Sequence, residues 1–178
     1  MASDLYYGDA SLNKQVFVAS AIVTAPIIYS TAAGTGGPLL WNGSSNVMGR
    51  ILKVGWAVTT AAAAAGGIGF TGGAGQTTAP SSTTAIDTVA NLYMGGPKPS
   101  ITPYRIGTVT TAGTFILPFA DIGTSALTTH LGLTWTDVGR LISIPPNGGW
   151  CSVASTTTLT TAVMTIAIVW EEIQLPIG

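Results

Sequence analysis

The residues Ala162–Glu172, AVMTIAIVWEE, read as a long strand that is apolar on both faces. Successive side chains of a strand point to opposite sides. Ala162, Met164, Ile166, Ile168 and Trp170 therefore share one face, and Val163, Thr165, Ala167 and Val169 the other. Such a strand lies mid-sheet between two layers, or has one face under a partner subunit. Arg50–Thr60 is the second anchor. Its period of two predicts a core face of Leu52, Val54, Trp56 and Val58, with Ile51, Lys53, Gly55 and Ala57 opposite. Helical spacing would scatter these apolar residues all round a cylinder. Ile166 and Ile168 join the predicted core from the last strand.

Between these anchors the chain is short β-rich runs punctuated by Gly and Pro. Gln15–Val23 is the first run, followed after Pro26 by Ile27–Tyr29. Ala32–Pro38 is a turn by composition, Leu39–Trp41 a short strand, and Asn42-Gly43 a tight-turn dipeptide. Five alanines, Ala61–Ala65, favour helix. Five residues cannot hold one alone, however, so a continuing strand or a single helical turn is expected there. Residues 71–84, TGGAGQTTAPSSTT, read as a mobile Gly/Ser/Thr loop. Asp87–Met94 reads as a short helix capped by Thr84 or Asp87 and stopped at Gly95-Gly96-Pro97. Ile101–Ile106, Thr108–Thr111 and Thr114–Leu117 are β-rich, and one short helix is expected within Asp121–Arg140. Leu141–Ile144 ends in the breaker Pro145-Pro146-Asn147-Gly148-Gly149, and Trp150–Ala154 restarts a strand. Eight to ten short strands with few helices predict an all-β fold: an antiparallel β-sandwich, jelly-roll-like. Met1–Asn13 reads as an N-terminal arm and residues 14–178 as one domain.

Of the 178 residues only 13 are charged (6 Lys+Arg, 7 Asp+Glu), 7% of the chain, and the net charge is -1. An average soluble domain carries about 25%. The polar residues are mostly Ser and Thr, which a neighbour covers with little desolvation, whereas an unpartnered Lys or Glu costs several kcal/mol to bury. The composition thus points to a subunit that lives in an assembly. The competing membrane reading fails on length: a spanning helix needs about 20 consecutive apolar residues, and the longest dense run, Ala162–Trp170, is interrupted by Thr165. Asp4 and Asp9 ahead of Val16–Ile28 disfavour a secretory signal. Too few cations are present to neutralise many phosphates, so no nucleic-acid partner is expected.

No motif spells out a reaction, and no catalytic residue, cofactor or metal is expected. Gly72-Gly73-Ala74-Gly75-Gln76 lacks the Gly-Lys-Ser/Thr ending of a phosphate loop. His130 has no nucleophile elbow to serve. Glu171 and Glu172 are adjacent on a strand, so they face opposite ways and cannot form one acid–base pair. One of them is placed to meet an Arg or Lys of a neighbouring strand. The single Cys151 reads as a buried small hydrophobe, and one free thiol accords with synthesis in a reducing cytoplasm. Tyr6 and Tyr7 in the arm, with Trp170, are the candidate interface residues, because aromatics dominate interface hot spots.

The run Ser143-Ile144-Pro145-Pro146-Asn147-Gly148-Gly149-Trp150, followed by Ile166–Ile173 with its Trp170-Glu171-Glu172, resembles small structural proteins of tailed bacteriophages. Gly36-Gly37-Pro38-Leu39-Leu40-Trp41-Asn42 and Leu52-Lys53-Val54 are similar too. The resemblance spans about half of the chain. It implies a jelly-roll-like virion component, often trimeric: a capsid cement (decoration) protein that binds the major capsid protein on the outer capsid surface. A tail or receptor-binding module of the same particle is the alternative. From a different class, a carbohydrate-binding β-sandwich also fits the composition.

Overall fold

The computed structural model describes residues 15–24, 27–28, 34–36, 38–60, 65–86, 88–111, 113–122, 134–156 and 162–176. Among these there is no helix. The strands in chain order are β1 (Val16–Thr24), β2 (Ile27–Ile28), β3 (Gly34–Gly36), β4 (Leu39–Asn42) and β5 (Val47–Thr60). Then come β6 (Gly66–Gly73), β7 (Ser81–Ala85), β8 (Thr88–Asn91), β9 (Thr102–Val109) and β10 (Thr114–Ile122). The last are β11 (Thr134–Asp137), β12 (Ser143–Ile144), β13 (Gly149–Ser155) and β14 (Val163–Gln174).

They form two sheets packed into a β-sandwich. Sheet A runs β11-β5-β14-β1-β8, with β12 also on β5; sheet B runs β10-β6-β13-β4-β9-β3, with β7 on β9 and β2 on β13. Every pairing is antiparallel except that of β2. Eight of the strands, β1, β4, β5, β6, β10, β11, β13 and β14, are shared between the sheets in a recognisable order. Sheet A holds the first, eighth, third and sixth of them side by side, and sheet B the second, seventh, fourth and fifth. That is jelly-roll connectivity, two Greek keys wrapped together. Strands β7, β8 and β9 all lie between β6 and β10 in sequence. They lengthen both sheets on one side, β8 beside β1 and β9 beside β4.

The main core lies between the sheets. From sheet A come Phe17, Ala19 and Ala21, then Ile51, Val54, Trp56 and Val58, then Met164, Ile166, Ile168 and Trp170. Sheet B answers with Leu40, Ile68, Phe70, Cys151 and Val153. The two-sided apolar strand, β14, is at the centre of its sheet, between β5 and β1. Trp170 packs on Phe17 with ring centroids 5.6 Å apart and is fully buried. It is thus a core residue of the subunit and not a surface anchor.

Leu52 also departs from expectation. Val169 pairs with Lys53 and Trp170 with Ile51, so Leu52 is an extra residue in β5. A β-bulge of this kind reverses the inward and outward alternation. Ile51 therefore enters the core, while Leu52 packs on the outer side with Val16 and Val169. Val54, Trp56 and Val58, beyond the bulge, face the core as expected.

Three further expectations are corrected. The predicted helix at Asp87–Met94 contains strand β8, which registers on β1 from Phe17↔Asn91 to Ser20↔Thr88. The expected turn at Ala32–Pro38 contains β3, paired with β9. Residues 71–84, expected to be mobile, comprise the end of β6, an anchored crossing and most of β7. The part of Asp121–Arg140 that is described is strand or turn. Met1–Asn13 with Tyr6 and Tyr7, His130 and most of Ala61–Ala65 lie outside the described residues.

Candidate assembly surface

The two sheets treat their outer faces differently. On sheet B the outward residues Leu39 and Trp150 bury themselves with Val109, and Trp41 and Tyr104 pack against them. The chain closes this cluster itself. Residues 74–80 cross it and are pinned through Gln76, which is 4% exposed. Gln76 N–H donates to Gly148 O (2.9 Å), and Trp41 Nε1 donates to Gln76 O (2.9 Å). Gln76 Oε1 accepts from Thr110 N (3.0 Å) and Thr110 Oγ1 (2.9 Å). Trp150 Nε1 donates to Thr111 Oγ1 at 2.9 Å. Both indoles are thereby satisfied, as buried N–H groups require.

Sheet A presents an outer face made mostly of uncharged side chains. Strand register aligns Ala57, Thr165 and Ile22 in one row across the sheet. The next row is Trp135, Gly55, Ala167, Ser20 and Thr88. A third row is Asp137, Lys53, Val169, Val18 and Ala90. The first two rows hold no charged side chain, and Arg105 Nε donates to Ile22 O (2.9 Å) at the end of the first. In the third, Asp137 and Lys53 are opposite each other at one side. Trp135 and Ile22 are each 49% exposed, while Ala167 is low in the plate at 5%. This is the second apolar face of β14 that the sequence pattern demands.

The charged end of the plate pairs two arginines with one glutamate. Arg140 Nε lies 3.0 Å from Glu171 Oε1, and Glu171 pairs in register with Arg50. Burial pushes the Glu171 carboxyl above its ordinary value, and Arg140 and then Arg50 pull it back only in part. Glu172 turns the other way. Its carboxylate accepts from Ser100 N and Ile101 N, both at 2.9 Å, and from Trp170 Nε1 at 3.3 Å. The two glutamates thus face opposite sides of β14, as their adjacency requires, and Glu171 meets an arginine.

Where the insertion lengthens both sheets, their edges part into an open groove of about 460 Å³. Val89, Asn91, Pro97, Lys98, Ile101 and Pro103 line it. The turn after β8 exposes Leu92, Tyr93 and Met94, the last at 94%. Cys151 is buried in the core, and burial pushes its thiol up to about 12, so it stays a protonated thiol at neutral pH. Among the described residues no three His, Cys, Asp or Glu side chains come together, and no helix is long and apolar enough to cross a membrane. Trp135 and Gln76 are the functionally placed residues that sequence reasoning missed. Trp135 sits in a stretch of ambiguous periodicity, and Gln76 is one polar residue in a Gly/Thr-rich run. No family model matches the chain, and no curated protein matches it.

Proposed function

We propose that this chain is a non-catalytic structural subunit of a bacteriophage particle, a capsid cement protein that binds major capsid subunits from outside and acts as a homo-oligomer. The observation that carries the reading is the outer face of sheet A: two consecutive rows without a charge, on a chain only 7% charged. Covering such a face releases water from apolar surface at roughly 25 cal/mol per Å² and buries no charged side chain of these two rows. The jelly-roll connectivity accords with virion components by analogy of fold, as does the resemblance around Pro145–Trp150 and Ile166–Ile173. A free buried thiol accords with synthesis in the host bacterial cytoplasm. Cementing would act by bridging: a subunit touching two capsid neighbours at once adds interface that must be broken before they separate.

Gold-labelled chain mixed with heads and with whole particles tests this. Many copies across the head are expected, together with a raised temperature of head rupture. Label confined to the tail tip would replace cementing by receptor binding, and absence of label from every part of the particle would overturn the virion reading.

A further inference from the structure

We infer that the open groove beside β8 seats residues 1–14 of the same chain, with the rings of Tyr6 and Tyr7 filling it. Val89, Pro97, Pro99, Ile101 and Pro103 give the groove apolar walls, and Lys98 is the one charged residue that lines it. Eight large hydrophobic residues are exposed among the described residues. Four of them, Val89, Leu92, Tyr93 and Met94, lie in this groove or on the turn that borders it. Uncovered apolar surface is thus concentrated at one place, and β8 is the edge strand of its sheet.

The described chain begins at that place. Val16 O accepts from Leu92 N (2.9 Å), one residue beyond Asn91 of the groove wall. Gln15 O accepts from Glu172 N (2.9 Å), and the Glu172 carboxylate holds Ser100 N and Ile101 N, where the other wall starts. Gln15 is therefore about two strand spacings, roughly 10 Å, from the groove. Tyr7 and Tyr6 precede Gln15 by eight and nine residues. Extended chain of that length spans up to about 30 Å, so both rings reach the groove without a second copy. So short a tether also gives the segment an effective concentration in the millimolar range, which no free partner matches at ordinary levels. The chemistry is complementary. A tyrosine ring lays its apolar body on proline and aliphatic walls and keeps its hydroxyl at the water. Residues 1–13 carry Asp4 and Asp9 and no Lys or Arg, so the segment brings negative charge to Lys98.

The test uses the full chain without particles. Chymotrypsin cuts after Tyr6 and Tyr7 only when their rings are free to enter its own pocket. Cutting there is expected to be at least about tenfold slower in the chain than in a synthetic peptide of residues 1–14. Val89→Glu puts a carboxylate into the groove wall and is expected to bring the rate back to that of the peptide. Leu141→Glu, at an exposed position beside β5, is expected to leave the protection intact. Circular dichroism checks that both variants keep the fold. Gly8→Cys is then combined either with Thr102→Cys in the groove or with Gln174→Cys, an exposed position two residues beyond Glu172 and as near to Gln15. The chain's own Cys151 is buried. A short bifunctional thiol linker is expected to close a loop within single chains at Thr102 and to do so several-fold less at Gln174. Peptide-like cutting of the wild type, unchanged protection in folded Val89→Glu, equal linking at both sites, or linking at Thr102 only between chains would each overturn the inference. The last of these would put the segment in the groove of a second copy.

Discussion

Glu172 turns inward from β14 and holds two backbone N–H groups of the segment leading into β9, while Glu171 turns outward to Arg140. Burial raises Glu171 above its ordinary 4.5, so the folded chain binds this proton more tightly than the unfolded chain does. Its contribution to stability is therefore fully present below 4.5 and is lost as pH rises through the raised folded value. Denaturant midpoints measured from pH 4 to 8 are expected to show that decline in wild type and a flatter profile in Glu171→Gln. Parallel profiles would mean that Arg140 and Arg50 cancel the effect of burial.

At the scale of elements, β5 decides which side chains reach the core. Trp56, buried beyond the bulge, joins Val54 and Val58 between the sheets. Trp56→Ala is expected to cost about 3–5 kcal/mol in denaturant unfolding. Lys53→Ala, on the outer face opposite Asp137, is expected to cost about 0.5 kcal/mol or less. Equal small losses would remove β5 from the core. The alternation of Val54, Trp56 and Val58 was legible in the sequence because each inward residue is apolar and the outward neighbours are small or charged. The inversion at Ile51 and Leu52 was not, because two adjacent aliphatics look alike and only the pairing with Val169 and Trp170 selects one. Asp87–Met94 read as helix because short runs carry no decisive period, and pairing with β1 overrides local preference. β7, all Ser, Thr and Ala, has no apolar rhythm to read. Half of the candidate surface was visible in Thr165, Ala167 and Val169. Its aromatic edge at Trp135 was hidden, since β11 is four residues long and only its register on Gly55 puts the indole on the plate.

Among the described residues the molecule is asymmetric: one outer face is crossed by its own chain, the other carries rows of uncharged side chains, and an insertion widens a single edge. The centre of sheet A depends on its last strand, because β14 separates β1 from β5. Deleting residues from Val163 onward is expected to abolish the cooperative melting transition and leave an insoluble chain, whereas the full chain is expected to melt in one step. A soluble truncation with a sharp transition would show that sheet B and the insertion fold without sheet A. The same topology sets a schedule for biosynthesis. Val16 waits for Glu171, and at 5–20 residues per second a ribosome needs roughly ten to thirty seconds to supply it. Throughout that interval the first strand has no long-range mate on its β14 side. Closure of the centre of sheet A is therefore a late event, one that waits on a contact distant in sequence.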